Sequence, residues 1–204
     1  MARPIEFDRS KAVDKAVGLF WRKGYQASSL SDLLAVMGIG RSSFYAAFTD
    51  KRSLFIECLD LFAERTLGLL ARACADKPPV DALEGFFEGG LFGGRDERRQ
   101  WGCLLVNTVL EMSGVDDDLA AHAGRHLDRV QDAFRAGLEH AGAAPALAQD
   151  LAAMLMLVNE GVRVSSRRAS PQAAPPPAIA AIFRLVRNAI GCPSTLQITR
   201  EIAT

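Results

Sequence analysis

At 204 residues, 49% of them hydrophobic and 24% charged, the chain is long enough to bury a substantial core and lacks the composition of a disordered protein. No apolar run approaches the roughly 18 residues of a membrane span, and the opening MARPIEFDRSK has no apolar stretch of the secretory kind, so a cytoplasmic protein without a membrane partner is expected. The formal net charge is zero, yet residues 1–54 hold 9 Lys and Arg against 5 Asp and Glu, whereas residues 55–204 hold 15 against 19, which suits the first end to a polyanion.

In chain order, Val13, Ala16, Val17 and Phe20 make one apolar stripe on a helix expected over 8–23, ended by Gly24. Leu30, Leu33, Leu34 and Met37 then recur at helical spacing, and Ser29 with Asp32 three residues on has the form of a capping box, so a second helix starts near Ser29. It stops at Met37-Gly38, where glycine can take a left-handed turn, and a third opens at Gly40 with Arg41, Ser42 and Ser43 outward and Phe44 and Phe48 inward. Two short helices joined by a tight turn make a helix-turn-helix. In that motif the second helix lies in the DNA major groove with its N-terminal residues at the base edges, which puts Arg41, Ser42 and Ser43 there. Thr49-Asp50 can cap a fourth helix whose first residue is Lys51, so that backbone N–H groups, the helix dipole and an ammonium converge where a phosphate can sit, with the Tyr45 phenol on the same side. A bare helical hairpin containing Phe and Tyr is more often simple packing; the flanking helices turn the balance toward a DNA-binding head.

These residues resemble the TetR-type (TetR/AcrR) one-component transcriptional regulators of bacteria. The resemblance rests on AVGLF from Ala16 to Phe20, Gly24-Tyr25, Ser28-Ser29-Leu30, Leu33, Gly38-Ile39, RSSFYAAF from Arg41 to Phe48, Lys51 and Leu54-Phe55, roughly the first quarter of the chain. It implies phosphate contacts from Ser28 or Ser29, Tyr45 and Lys51, and base or phosphate contacts from Arg41, Ser42 and Ser43. Two positions depart from the family pattern: Gly40 stands where a serine or threonine cap is usual, and Ala46-Ala47 replace an aromatic or histidine pair. With fewer side chains for phosphates, Arg41 and Lys51 are expected to carry more of the affinity.

Beyond Phe55 the texture stays helical with no strand alternation. Leu54, Cys58, Leu61, Phe62, Arg65 and Leu69 outline a long fourth helix to about residue 74, closed by Lys77-Pro78-Pro79, and further helices are expected near 80–91, 103–113, 119–141, 145–167 and 179–190. The fold class expected is therefore all-α with about nine helices: a three-helix helix-turn-helix domain over 1–54 and a larger bundle over 55–204. The stretch SSRRASPQAAPPPA over 165–178 reads as extended or irregular. Ala, Leu, Met and Val on the last two helices suit either a partner surface or ordinary core packing, and the resemblance implies that these helices pair into a four-helix homodimer interface.

Cys58, Cys74, Cys103 and Cys192 show no CxxC pair or Cys/His ligand spacing, so neither a metal site nor a disulfide framework is expected. Cys103 stands at a helix start with Arg95, Arg98 and Arg99 upstream, a setting that favours thiolate; a small apolar residue under Trp101 is the plainer reading. The Gly-Cys-Leu helix start also resembles a TetR subgroup that includes electrophile- and hypochlorite-responsive repressors. Cys103, Asn107 and Glu111 form one polar row on a helix and Asn159 and Arg163 another; with apolar neighbours Phe62, Trp101, Met112, Met154 and Leu155 they can line a pocket for an effector with a polar handle, or make ordinary interhelical contacts. His122 and His126 have the i, i+4 spacing of metal ligands, but with no third ligand nearby they are expected, with His140, on a solvent-exposed face.

The function expected is a ligand-responsive repressor that binds a palindromic double-stranded DNA operator as a homodimer, with an unknown small-molecule effector and no cofactor or catalytic residue. An effector in the larger domain would tilt the fourth helix and spoil the spacing of the two recognition helices. The alternatives are a thiol-based electrophile sensor using Cys103 and, from another class, a cysteine-dependent detoxifying enzyme.

Overall fold

The computed structural model describes residues 7–92, 97–167 and 176–191, and these form nine α-helices and one 3-10 turn with no strand among them. In order they are α1 (Arg9–Lys23), α2 (Leu30–Met37), α3 (Arg41–Ala47), α4 (Lys51–Asp76), α5 (Pro79–Phe92), the 3-10 turn Glu97–Trp101, α6 (Leu104–Met112), α7 (Asp117–His140), α8 (Pro145–Ser165) and α9 (Pro176–Ala189). The all-α expectation and the helix-turn-helix at its head are borne out. One boundary differs: α9 starts at Pro176, inside the stretch expected to be irregular, because the first helical turn needs no N–H from its residues and proline is preset for it. Residues 168–175 of that stretch lie outside the described residues, as do Arg95, Cys192 and the side chain of Arg99.

The chain divides into two compact units, one joining residues 1–65 with 101–127 and the other joining 66–100 with 128–204. In the first, Ala16 and Phe20 of α1, Leu33 of α2, Phe44 of α3 and Leu54, Phe55 and Leu59 of α4 are fully buried, with Leu104, Leu105 and Met112 of α6 and Leu119 of α7 almost equally so. Phe20 meets Phe55 edge to face at 4.7 Å, and each buried ring contributes about 2 kcal/mol by leaving water. Gly24 ends α1 at a φ of 86°, which glycine adopts without strain, and a Cβ there would lie 2.7 Å from the Glu111 carboxylate and push it aside.

In the second unit Phe87 of α5 sits between Phe134 of α7 and Phe183 of α9, at 5.6 and 5.3 Å. Beside this cluster the buried Arg187 of α9 donates to Asp81 and Glu84 of α5, both at 2.5 Å. A guanidinium taken out of water needs such paired carboxylates, and here they join α9 to α5.

Candidate nucleic-acid interface

The reading head is built on caps. Ser29 Oγ accepts from the Asp32 N–H at 3.0 Å while Asp32 accepts from the Ser29 N–H at 3.1 Å, the capping box expected from sequence, and Lys23 closes on Asp32 at 3.1 Å. Gly38 then takes the left-handed turn at φ 72°. Gly40 caps α3 with no side-chain hydrogen bond, as its replacement of a serine or threonine entails. Phe44 and Phe48 bury the inner face of α3, which leaves Arg41 and Ser42 exposed, Ser43 half-buried and Tyr45 53% exposed. Small polar and cationic groups thus line the outward side of a helix held by its aromatics.

Ser28 is the exception among the candidates. It is fully buried, and its hydroxyl donates to the Gly24 carbonyl at 2.6 Å, so it ties the α1–α2 loop together and offers nothing at the surface. Of the Ser28 and Ser29 pair, Ser29 is the exposed one.

At the start of α4, Asp50 accepts from the Ser53 N–H at 2.7 Å, the expected cap. Lys51 follows with its ammonium 4.3 Å from the centre of the Tyr25 ring; partial burial lowers its pKa, and the Glu111 carboxylate pulls the other way. The neighbouring Arg52 instead makes two hydrogen bonds to Asp116, at 3.0 and 3.1 Å, a pairing that raises the arginine's pKa and holds the carboxyl below its usual range. Lys51 and Arg52 are adjacent in sequence, yet only Lys51 keeps an ammonium uncommitted to a fork-shaped salt bridge.

The effector candidates fall in both units. In the first, Phe62 and Trp101 flank Trp21 of α1 edge-on at 5.0 and 5.6 Å, and the Trp21 indole donates to the Gly102 carbonyl at 3.2 Å. Asn107 donates to the Trp101 carbonyl at 2.7 Å, and Cys103, the residue before α6, is 8% exposed. Glu111 corrects the expectation of a cavity-facing row: its two oxygens accept from the Tyr25 and Gln26 N–H groups at 2.9 and 2.8 Å, so it holds the α1–α2 loop. In the second unit Met154 is exposed, while Asn159 is buried and accepts from Arg163 Nε at 3.4 Å. Sequence spacing missed Glu111's role because its partners are 85 and 86 residues away and are backbone groups, which leave no mark in residue type.

His122 and His126 also depart from expectation. A third metal-ligating group is present: Asp60 Oδ1 lies 2.6 Å from His122 Nε2 and 2.7 Å from His126 Nε2. His126 is buried and His122 half-buried, and only His140 is exposed as expected. The i, i+4 signal was legible; Asp60, on a different helix, was not.

Comparison with known proteins agrees with this geometry. A family model of bacterial regulatory proteins of the tetR family matches residues 12–58, and a model of the C-terminal domain of LmrA/YxaF-like transcriptional regulators matches residues 79–174. The HTH-type transcriptional repressor ComR of Escherichia coli (strain K12) is 32% identical over 174 residues, 81% of this chain and 82% of its own. A TetR transcriptional regulator from Legionella pneumophila shares the fold with a TM-score of 0.74 at 15% identity, over 92% of this chain and 100% of its own. The TetR family regulator CifR, solved as a cysteine mutant with 26bp double-strand operator DNA, gives a TM-score of 0.67 at 25% identity, over 92% of this chain and 98% of its own. Helix-turn-helix, caps and exposed first turn thus define a DNA-binding transcriptional regulator. The chain belongs to the TetR family.

Proposed function

We propose that this regulator is a ligand-responsive repressor that binds a palindromic operator as a homodimer in the cytoplasm, residues 1–54 reading DNA and residues 55–204 holding the effector and the dimer. The observation that carries the reading is α3: Arg41, Ser42 and Tyr45 stand out from a helix whose Phe44 and Phe48 are buried, the presentation that major-groove recognition needs. Ser29, Ser43 and Lys51 border the same head and are assigned to it with them. A single head of this size buries too little DNA surface for tight specific binding, which argues for two.

The second copy is assigned to α8 and α9. Leu157 is 71% exposed and Leu185 66%, with Met154 and Val164 also open on α8, a density of large apolar groups that a lone protomer has no reason to leave in water. Effector binding is assigned to noncovalent capture, because the burial of Cys103 opposes the attack that a sensor thiol must make; for the same reason regulation is favoured over cysteine-dependent turnover.

The test is to incubate the purified protein with fragmented genomic DNA from its source, recover what it retains and sequence it. An enriched inverted repeat with half-sites roughly one helical turn, or about 10 bp, apart is the expected result. Retention without any enriched sequence would overturn specific operator binding, and an enriched single half-site would overturn the dimer.

A further inference from the structure

Three side chains with metal-binding atoms converge between α4 and α7. His122 and His126 lie one turn apart on α7, so both imidazoles leave the same face, and their rings stand edge to face at 4.9 Å. Both Nε2 atoms point at one oxygen, Asp60 Oδ1, and the three atoms lie within 4.8 Å of one another. His126 is 8% exposed whereas His122 and Asp60 are half-buried, so the cluster is walled on one side and open on the other.

We propose that Asp60, His122 and His126 form a binding site for a divalent transition-metal ion of the zinc class. Two imidazoles and a carboxylate are borderline donors of the kind zinc and cobalt take, and three protein ligands leave a fourth position for water. A tetrahedral ion with bonds of about 2.0–2.1 Å holds its donors about 3.3 Å apart. The present N···O separations are 2.6 and 2.7 Å, so the Asp60 carboxylate must withdraw by roughly 0.6–0.7 Å to admit the ion, a small side-chain rotation. The two Nε2 atoms lie within 4.8 Å of each other, and the ion draws them toward the same separation of about 3.3 Å.

Arg125 supplies an internal control. Its guanidinium lies 3.2 Å from His122 Nδ1, and because arginine only donates, that nitrogen is the acceptor and the ring proton sits on Nε2, facing Asp60. A metal takes the Nε2 lone pair. The proton must then move to Nδ1, which displaces Arg125. The exposed Arg125 therefore opposes metal binding, and removing it should strengthen the site without touching a ligand.

The experiment uses the full chain stripped with EDTA, titrated with Zn2+ in competition with a chromophoric chelator and with Co2+ by visible absorption. The expected result is one equivalent per chain with a Kd of about 10 µM or tighter, and a cobalt spectrum of tetrahedral type without thiolate charge-transfer bands. His122→Gln and Asp60→Asn, which keep side-chain size and hydrogen-bonding capacity, should each weaken binding by at least about tenfold with unchanged far-UV circular dichroism, and Arg125→Ala should tighten it several-fold. Three outcomes would overturn the proposal: no saturable binding, binding that survives in both ligand variants, or cobalt spectra showing thiolate ligation. Each would leave Asp60 as a hydrogen-bonded bridge between the two histidines.

Discussion

Lys51 and Arg41 are the two cations proposed to carry most of the DNA affinity, given the departures from the family pattern at Gly40 and Ala46-Ala47. Lys51 stands over the Tyr25 ring in the first turn of α4, so packing fixes where its charge sits. Lys51→Ala is expected to weaken binding to all sequences alike and to reduce the salt slope by about 1, whereas Arg41→Ala should cost about 1–3 kcal/mol and relax the preference at one base position. Fluorescence anisotropy with operator and scrambled duplexes over a salt series separates the two, and an unchanged slope for Lys51→Ala would remove α4 from the phosphates. Glu111 acts through structure: Glu111→Ala leaves two backbone donors without their carboxylate and should destabilise the fold by about 1–3 kcal/mol in urea unfolding, with Glu111→Gln in between.

Short-range signals made the elements legible. Ser29 with Asp32, Gly38, Asp50 and the Phe44/Phe48 pair act within one turn of their own positions, and each performs in the structure what its spacing implied. The pairs that join elements were not legible: Asp60 with His122 and His126, Arg52 with Asp116, and Arg187 with Asp81 and Glu84 lie 62 to 106 residues apart, and a lone charge does not announce its partner. The caps carry a pH consequence. Backbone N–H donors lower the pKa of three carboxyls, Lys11 that of Asp8 at the N-cap of α1, Ser29 that of Asp32 and Ser53 that of Asp50, and the Arg52 guanidinium lowers that of Asp116. Groups whose folded pKa is depressed stabilise the fold fully above the unfolded value of about 3.9 and lose that contribution as pH falls through the folded value. Urea midpoints should therefore hold between pH 7 and 5 and drop below about pH 4; a midpoint rising on acidification would contradict the assigned caps.

For the whole molecule, composition and periodicity were enough for an all-α chain with a helix-turn-helix head, because helix faces and breaks are local. How the head is supported was not, since residues 101–127 join residues 1–65 in one compact unit. A fragment ending at residue 65 lacks Glu111, Asp116 and Trp101 and is expected to show little cooperative unfolding by circular dichroism, while the full chain melts cooperatively. Not every apolar residue of the last helix is free for a partner: Val186 of α9 is fully buried within the protomer, so a polar group there should unfold the chain. The double variant Leu157→Glu with Leu185→Glu should instead yield a folded monomer near 22.0 kDa in sedimentation, against a dimer for the parent. A parent that sediments as a monomer at micromolar concentration would sink the assignment.

The grip of Glu111 on the Tyr25 and Gln26 N–H groups makes α6 a strut beneath the α1–α2 loop. The helix is nine residues, about 13 Å, of rigid hydrogen-bonded backbone with Cys103 at its near end and Glu111 in its last turn. Cys103 and Glu111 thus stand at opposite ends of one helix, whose far end is hydrogen-bonded to the loop that sets α2 against α1. Gly24, with no Cβ to stand between, is the socket in which the strut's tip is seated.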